Sequence, residues 1–258
     1  MTPSDEIQQG CAVVTGAGSG LGQALSVELA RRGMQVAGFG RREDALAETA
    51  AQIGDAFLPI KADVSDFTAL RNGFDQVRMH FGPVTILINN AAVYPRRDLL
   101  EESPEAFMQV MAINLGGMVA ATQYALTDMT RAGVGRIVNV SSFADIAPIP
   151  ASAAYSVSKG AGRIWSRAML ADLHDRFPDI VISTWMPGML ATDMGIPDGL
   201  APEAAAKWGA ALSLWHDRAI NGATFEMDRE VPEPRGLKRK IKDAILLRRA
   251  PVPRKIPG

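Results

Sequence analysis

Apolar residues gather in short blocks along this chain, and between the blocks they recur at three- and four-residue spacing. Residues 11–15 form an apolar run that leads into TGAGSGLG; residues 23–32 then carry Leu25, Leu29 and Ala30 and stop at Gly33. That order predicts strand, glycine turn, helix. The unit repeats, with strands expected over 34–39 and 56–60, helices over 43–53 and 67–81, and a fully apolar strand over 84–89. Long helical stretches are expected at 104–129 and 153–177, with strands at 136–140 and 180–186 following them. A helix over 202–215 and a strand over 223–227 bring the expected total to about seven strands. Continuous apolar strands alternating with helices point to a doubly wound α/β fold, a parallel sheet covered on both faces. No Pro/Ser-rich linker precedes Pro232. Residues 1–231 are therefore expected to form one Rossmann-like domain, and residues 232–258 a tail.

Composition narrows the function classes. With 47% hydrophobic and 21% charged residues in 258, the chain can bury a core, which excludes disorder over most of its length. One cysteine, Cys11, cannot form an internal disulfide, and His80, His174 and His216 have no metal-binding spacing, so no metal is expected. No apolar run approaches the ~18 residues that span a bilayer. The start, MTPSDEIQQG, lacks a basic and then apolar leader, which makes cytoplasmic the expected address. The net charge of −1 hides an asymmetry: from Arg235 onward nine Lys/Arg face only Asp243. The body is thereby acidic and is not expected to bind nucleic acid. In the tail, Leu237, Ile241, Ile245 and Leu246 are spaced for one helical face among basic residues, so the tail is expected to be partly helical. It can dock on the protein or lie on an anionic membrane surface; docking is the reading taken.

Chemistry enters at the glycine turn. A strand running into glycines that open a helix sets free backbone N–H groups and a positive helix end against a pyrophosphate, a dinucleotide reading of Gly16, Gly20 and Gly22. The literal GxGxxG spacing is not present. The pattern TGxxxGxG over Thr15 to Gly22 instead resembles the short-chain dehydrogenase/reductase family. Four further motifs agree in order and register: NNAA from Asn89 to Ala92, Asn114 in a long helix, Ser141-Ser142 after a strand, and YSVSK from Tyr155 to Lys159. Tyr155 and Lys159 are four apart and share a helix face, and Ser142 precedes Tyr155 by thirteen positions.

The resemblance implies an NAD(P)-dependent enzyme with Asn114, Ser142, Tyr155 and Lys159 as its catalytic set. Tyr155 would exchange the proton, its phenolate favoured by the Lys159 ammonium and the cationic nicotinamide. Ser142 would hydrogen-bond the substrate oxygen, Lys159 would also hold the nicotinamide ribose, and Asn114 would hold a water linking Lys159 to solvent. Cofactor contacts implied are Gly16, Ser19, Gly20, Leu21 and Gly22, with Asp63 and Val64 beside the adenine and Asn89 and Ala91 after the fourth strand. Tyr155, Lys159, Pro187, Gly188 and Thr192 complete the nicotinamide end. At the end of the second strand an acid would select NAD by accepting from the 2′-hydroxyl. Arg41 and Arg42 stand there instead and can fork onto a 2′-phosphate, favouring NADP, although Ser19 stands where a basic residue often lies.

Apolar residues on the expected lid, among them Val93, Tyr94, Phe143, Ile146, Ile149, Met189 and Met194, suggest an apolar carbonyl compound or secondary alcohol as substrate. The alternatives at this stage are an NAD-preferring alcohol dehydrogenase and a non-catalytic cofactor-binding regulator or scaffold. A homodimer or homotetramer is expected, with Val110, Met118, Ala121, Ala168 and Met169 on the outer faces of the two long helices.

Overall fold

Eight strands form one sheet in the computed structural model, which describes residues 2–232 and 252–258. In spatial order they are β3 (Phe57–Lys61), β2 (Gln35–Gly40), β1 (Cys11–Thr15), β4 (Val84–Asn89), β5 (Val134–Val140), β6 (Asp179–Met186), β7 (Thr224–Glu226) and β8 (Arg229–Glu230). Every pairing is parallel except β7 with β8. The central strands β1, β4 and β5 are buried along their whole length, as strands covered on both faces must be. The helices are α1 (Pro3–Gln9), α2 (Gly20–Arg31), α3 (Glu43–Ile53), α4 (Phe67–Phe81), α5 (Pro104–Met111), α6 (Gly117–Ala132), α7 (Ala153–Leu173) and α8 (Pro202–Leu214).

Two apolar layers result. One holds Leu25, Leu29, Trp185 and Ala210 beneath α2 and α8; the other holds Phe39, Phe74, Ala121 and Met129 beneath α4 and α6. Strand order reverses between β1 and β4, and a ligand crevice opens at the carboxyl ends of strands at such a switch point. Thr15, Gly40, Asn89, Val140 and Met186 all end their strands on that side.

Three expectations are corrected. The sheet has an eighth strand, too short for periodicity to reveal, and the chain opens with α1, which carries a Thr2–Asp5 capping box. The stretch expected as one helix from 104 is α5 and α6 joined by a π-helical turn, Ala112–Gly116. Val110, Met118, Ala121 and Met169 do not lie on outer faces: each is under a tenth exposed within the single chain. Ala168 is exposed, as expected, and the large apolar residues that face outward on α5 and α7 are Met108, Val157 and Ile164.

Leu237, Ile241, Ile245 and Leu246 lie outside the described residues. The end of the chain, however, returns to the sheet. Lys255 pairs antiparallel with Arg229, the Arg254 guanidinium forks onto the Glu230 carboxylate at 2.7 and 2.8 Å, and Ile256 is buried in the layer beneath α8.

Candidate active site

The glycine turn is shaped by close approach. A Cβ on Gly22 would lie 2.0 Å from the Gly16 carbonyl oxygen, which no side chain tolerates, and Gly20 has φ +54°, a conformation that favours glycine. Ser19 stands at the N-cap of α2 with extended backbone and makes no side-chain capping bond. The first N–H groups of α2 are therefore not capped by their own sequence, which suits an anion. Leu21, by contrast, is a core residue. The turn is braced from β4: the Thr15 hydroxyl accepts from the N–H groups of Asn90 and Ala91, both at 3.0 Å, and Asn90 Nδ2 donates to the Thr15 carbonyl at 2.9 Å. Ala91 packs directly against Gly16. Thr192, from the segment after β6, comes within van der Waals reach of Gly20. Pro187 is buried, and Gly188, at φ +93°, faces Met227.

These residues fit a dinucleotide: a glycine cradle that any Cβ would fill, an uncapped helix end, and a threonine closing over it. At the end of β2, no carboxylate follows Gly40. Arg41 is largely exposed and lies 3.9 Å from Asp63; Arg42 is the N-cap of α3 without a side-chain capping bond. Asp63 accepts from the backbone N–H and hydroxyl of Ser65, and Val64 packs on Gly117 of α6. Asn89 does not reach the cradle. It is buried, and its Nδ2 donates to Thr122 at 3.0 Å and Asn139 at 2.8 Å, knitting β4 to α6 and β5. Asn90, next in the same motif, is the asparagine that touches the glycine turn. Sequence reading passed over it because both residues are asparagines and strand alternation was needed to tell which faces out.

Ser142, Tyr155 and Lys159 are brought together where β5 meets α7. Ser142 follows the end of β5, its Oγ accepting from Ala144 N at 3.2 Å. Burial pushes the Tyr155 phenol above its ordinary value, a hydrogen bond with Ser142 pulls it down, and Tyr94 pushes it up again. The net direction is upward, because burial outweighs the Ser142 hydrogen bond. Lys159 Nζ lies 5.5 Å from the Tyr155 ring centroid and donates to the Val140 carbonyl at 3.0 Å. Burial lowers its pKa to about 8, opposed by the Asp145 carboxylate. Asp145 is itself held by Arg163, one turn beyond Lys159 on α7, at 2.5 and 2.8 Å. The sequence carried a signal for this pair, an acid three residues after Ser142 and a base four after Lys159, but neither belongs to the motifs.

Asn114 sits in the π-helical turn. Its Oδ1 accepts from Val93 N at 2.8 Å, and its Nδ2 donates to Val93 O at 2.9 Å and Ser158 Oγ at 3.0 Å. It thus contacts the loop after β4 and the residue before Lys159, and makes no direct contact with Lys159. A cavity of about 10 Å³, lined by Met118, Val140, Ser141, Lys159 and Arg163 among others, lies beside the lysine. That is about the room one water needs. Tyr94 stacks on Tyr155, and Phe143, Ile146, Ile149, Met189 and Met194, in the segments that follow β5 and β6, are exposed.

Comparison with known proteins agrees with this geometry. The family model for short chain dehydrogenases matches residues 10–200. The chain is 30% identical over 194 residues to an NADP-dependent (R)-specific alcohol dehydrogenase of Lentilactobacillus kefiri, covering 74% of this chain and 77% of the relative. It is 34% identical over 186 residues to a granaticin polyketide synthase putative ketoacyl reductase 2 of Streptomyces violaceoruber, covering 70% and 73%. A farnesol dehydrogenase of Aedes aegypti is 31% identical over 209 residues, covering 78% and 83%. The chain belongs to the short-chain dehydrogenase/reductase family and is an NAD(P)-dependent oxidoreductase.

Proposed function

We propose that the protein interconverts the carbonyl and secondary-alcohol forms of an apolar small molecule, with NADP(H) as its cofactor. The observation that carries this reading is the meeting of Ser142, Tyr155 and Lys159 at the carboxyl end of β5, on the crevice side that also bears the glycine cradle. When bound, the reduced nicotinamide supplies a hydride to the carbonyl carbon. Tyr155 gives its proton to the carbonyl oxygen, and its raised pKa keeps that proton in place at neutral pH. Ser142 turns its hydroxyl hydrogen to the same oxygen, while its own oxygen still accepts from Ala144. Lys159 spends one N–H on Val140, leaving two for the ribose and for the field that favours the phenolate when the reaction runs toward the ketone. Asn114 is a positioning residue through Val93 and Ser158.

Three observations support NADP: the strand end lacks an acid, Arg41 stands there largely exposed and only loosely paired with Asp63 while Arg42 makes no capping bond, and the Lentilactobacillus relative is NADP-dependent by name. The exposed apolar residues in the segments after β5 and β6, Phe143, Ile146 and Met189 among them, support an apolar substrate. The test is oxidation of NADPH and NADH, read from the absorbance of the reduced nicotinamide, against a panel of aliphatic and aromatic ketones. NADPH-dependent turnover is expected; turnover with NADH alone removes the cofactor assignment, and none with either removes the reaction.

A further inference from the structure

An ion pair joins the two segments that carry Ser142, Tyr155 and Lys159. Asp145 ends the short turn Phe143–Asp145 that begins directly after Ser142, and the Ser142 hydroxyl caps this turn by accepting from Ala144 N. Arg163 stands one turn beyond Lys159 on α7. Its Nε lies 2.5 Å from one Asp145 carboxylate oxygen, and its Nη2 donates to the other at 2.8 Å. Nη2 also reaches Met186 Sδ, 3.9 Å away at the end of β6. The pair is withdrawn from water, with the Asp145 side chain 5% and the Arg163 side chain 19% exposed. Asp145 packs on α7 beside Lys159 as well: its Cβ is 3.6 Å from where a Cβ on Gly160 would stand.

An exposed ion pair holds little, but a buried one is costly to break, since either charge left alone has lost its water. This pair therefore ties the turn after Ser142 to the helix of Tyr155 and Lys159. It also sets the charges around the lysine. Among the described residues, the titratable and charged groups near Lys159 are Tyr155 and Arg163 on α7, Asp145 on the turn, and Tyr94, which stacks on Tyr155 from the segment after β4. β5, α6 and β6 meet it with Ser141, Met118 and Thr184, which carry no charge. Asp145 is the carboxylate that acts on the ammonium, and Arg163 draws that carboxylate to itself. We infer that Asp145 and Arg163 are a positioning pair for the reaction, clamping the Ser142 segment to α7 and holding a carboxylate at a set distance from Lys159. This rests on the assignment of Ser142, Tyr155 and Lys159 as the catalytic set.

The experiment follows the ionisation of Lys159 itself, through the ε-carbon resonance of the full chain labelled with carbon-13 lysine and assigned by its loss in Lys159→Ala. Arg163→Gln removes a cation and frees the carboxylate, so the titration midpoint should rise by about one pH unit. Asp145→Asn removes the carboxylate and leaves Arg163 beside the ammonium, so the midpoint should fall by about one unit. Mere loosening of the site would hydrate Lys159 and raise the midpoint in both variants. Opposite shifts are therefore the signature of the pair, and any other pattern overturns the inference. In NADPH-dependent ketone reduction, kcat of Arg163→Gln on the plateau below the alkaline limb should fall about tenfold, because the Ser142 segment is no longer clamped. An unchanged kcat overturns the clamp. If Arg163→Gln does not fold, Asp145→Asn decides alone: a lowered midpoint supports the pair, and an unmoved or raised one overturns it. If wild type reduces no ketone, the reaction assignment has failed, and the midpoints, which need no turnover, still decide the pair.

Discussion

Lys159 and Tyr155 face the same burial with opposite results, because desolvation penalises whichever form is charged. The phenol is raised and stays a proton donor, while the ammonium is lowered to about 8 and so begins to titrate within the working range. Carbonyl reduction should therefore decline as pH rises through about 8, since only protonated Lys159 supplies the field and both ribose hydrogen bonds. Asp145 acts in the other direction, its carboxylate favouring the ammonium, so Asp145→Asn should move that alkaline limb to lower pH in a kcat/KM profile. An unmoved limb would detach the titration from Lys159. Tyr155→Phe should lower kcat by roughly 10²–10⁴-fold while leaving NADPH affinity nearly intact, measured by fluorescence titration, because only the transition state needs that proton. At the adenosine end, Arg41→Asp should move preference toward NADH: a carboxylate accepts from a 2′-hydroxyl and repels a 2′-phosphate. The change should be larger than for Arg42→Asp, Arg42 lying one residue further from the end of β2.

At the scale of elements, β5 and the end of the chain show what burial demands. Arg136 is fully buried in β5, and its guanidinium is satisfied by neutral acceptors, the carbonyls of Leu212, Trp215, Ile137 and Val181 and the Ser183 hydroxyl. It so fastens the carbonyl end of α8 to the sheet, where a cation also meets the negative helix end. The last seven residues close the β8 edge, with the Glu230 carboxyl held below its usual range chiefly by its hydrogen bond to Arg254. A depressed acid contributes stability above its unfolded value and loses it as pH falls, so this contribution should fade on acidification. Deleting residues 252–258 uncovers the Ile256 site, worth about 2 kcal/mol of apolar burial, and should lower Tm by roughly 4–8 °C in a calorimetric scan. An unchanged Tm would mean that the segment opens before the rest unfolds. Sequence alone disclosed most of the architecture, because buried parallel strands are unbroken apolar runs and Gly33, Gly54 and Gly82 punctuate the helix ends. It missed β8, two residues being too few to show a period, and it missed the π-helical turn, since the i to i+5 register around Asn114 leaves the apolar spacing of a long helix almost unaltered. The same limit explains the site: Tyr155, Lys159 and Ser142 have fixed separations, whereas the stacking of Tyr94 and the Asp145–Arg163 pair depend on tertiary contact.

For the whole molecule, the question is which surfaces remain unfinished. α5 packs against α7, and the two helices together expose Met108, Val157 and Ile164, each at least half accessible. An isolated exposed apolar residue is ordinary, but several on adjoining helices mark an association surface. The β8 end of the sheet is different: Arg229 bridges antiparallel to Lys255, which covers part of that edge. Association is expected at the helical face, as a closed two-fold dimer. Light scattering at micromolar concentration should give twice the 27.6 kDa chain mass. Ile164→Arg should reduce it to the monomer mass with little loss of fold by circular dichroism, because this side chain touches solvent in the single chain. Since Tyr155 lies on α7, the monomeric variant should also lose activity out of proportion to any loss of helix content if that helix needs the second copy as well as its own bonds to β5. A wild-type monomer, or a monomeric variant with full turnover, would put the apolar face to some other use and leave the catalytic helix sufficient by itself.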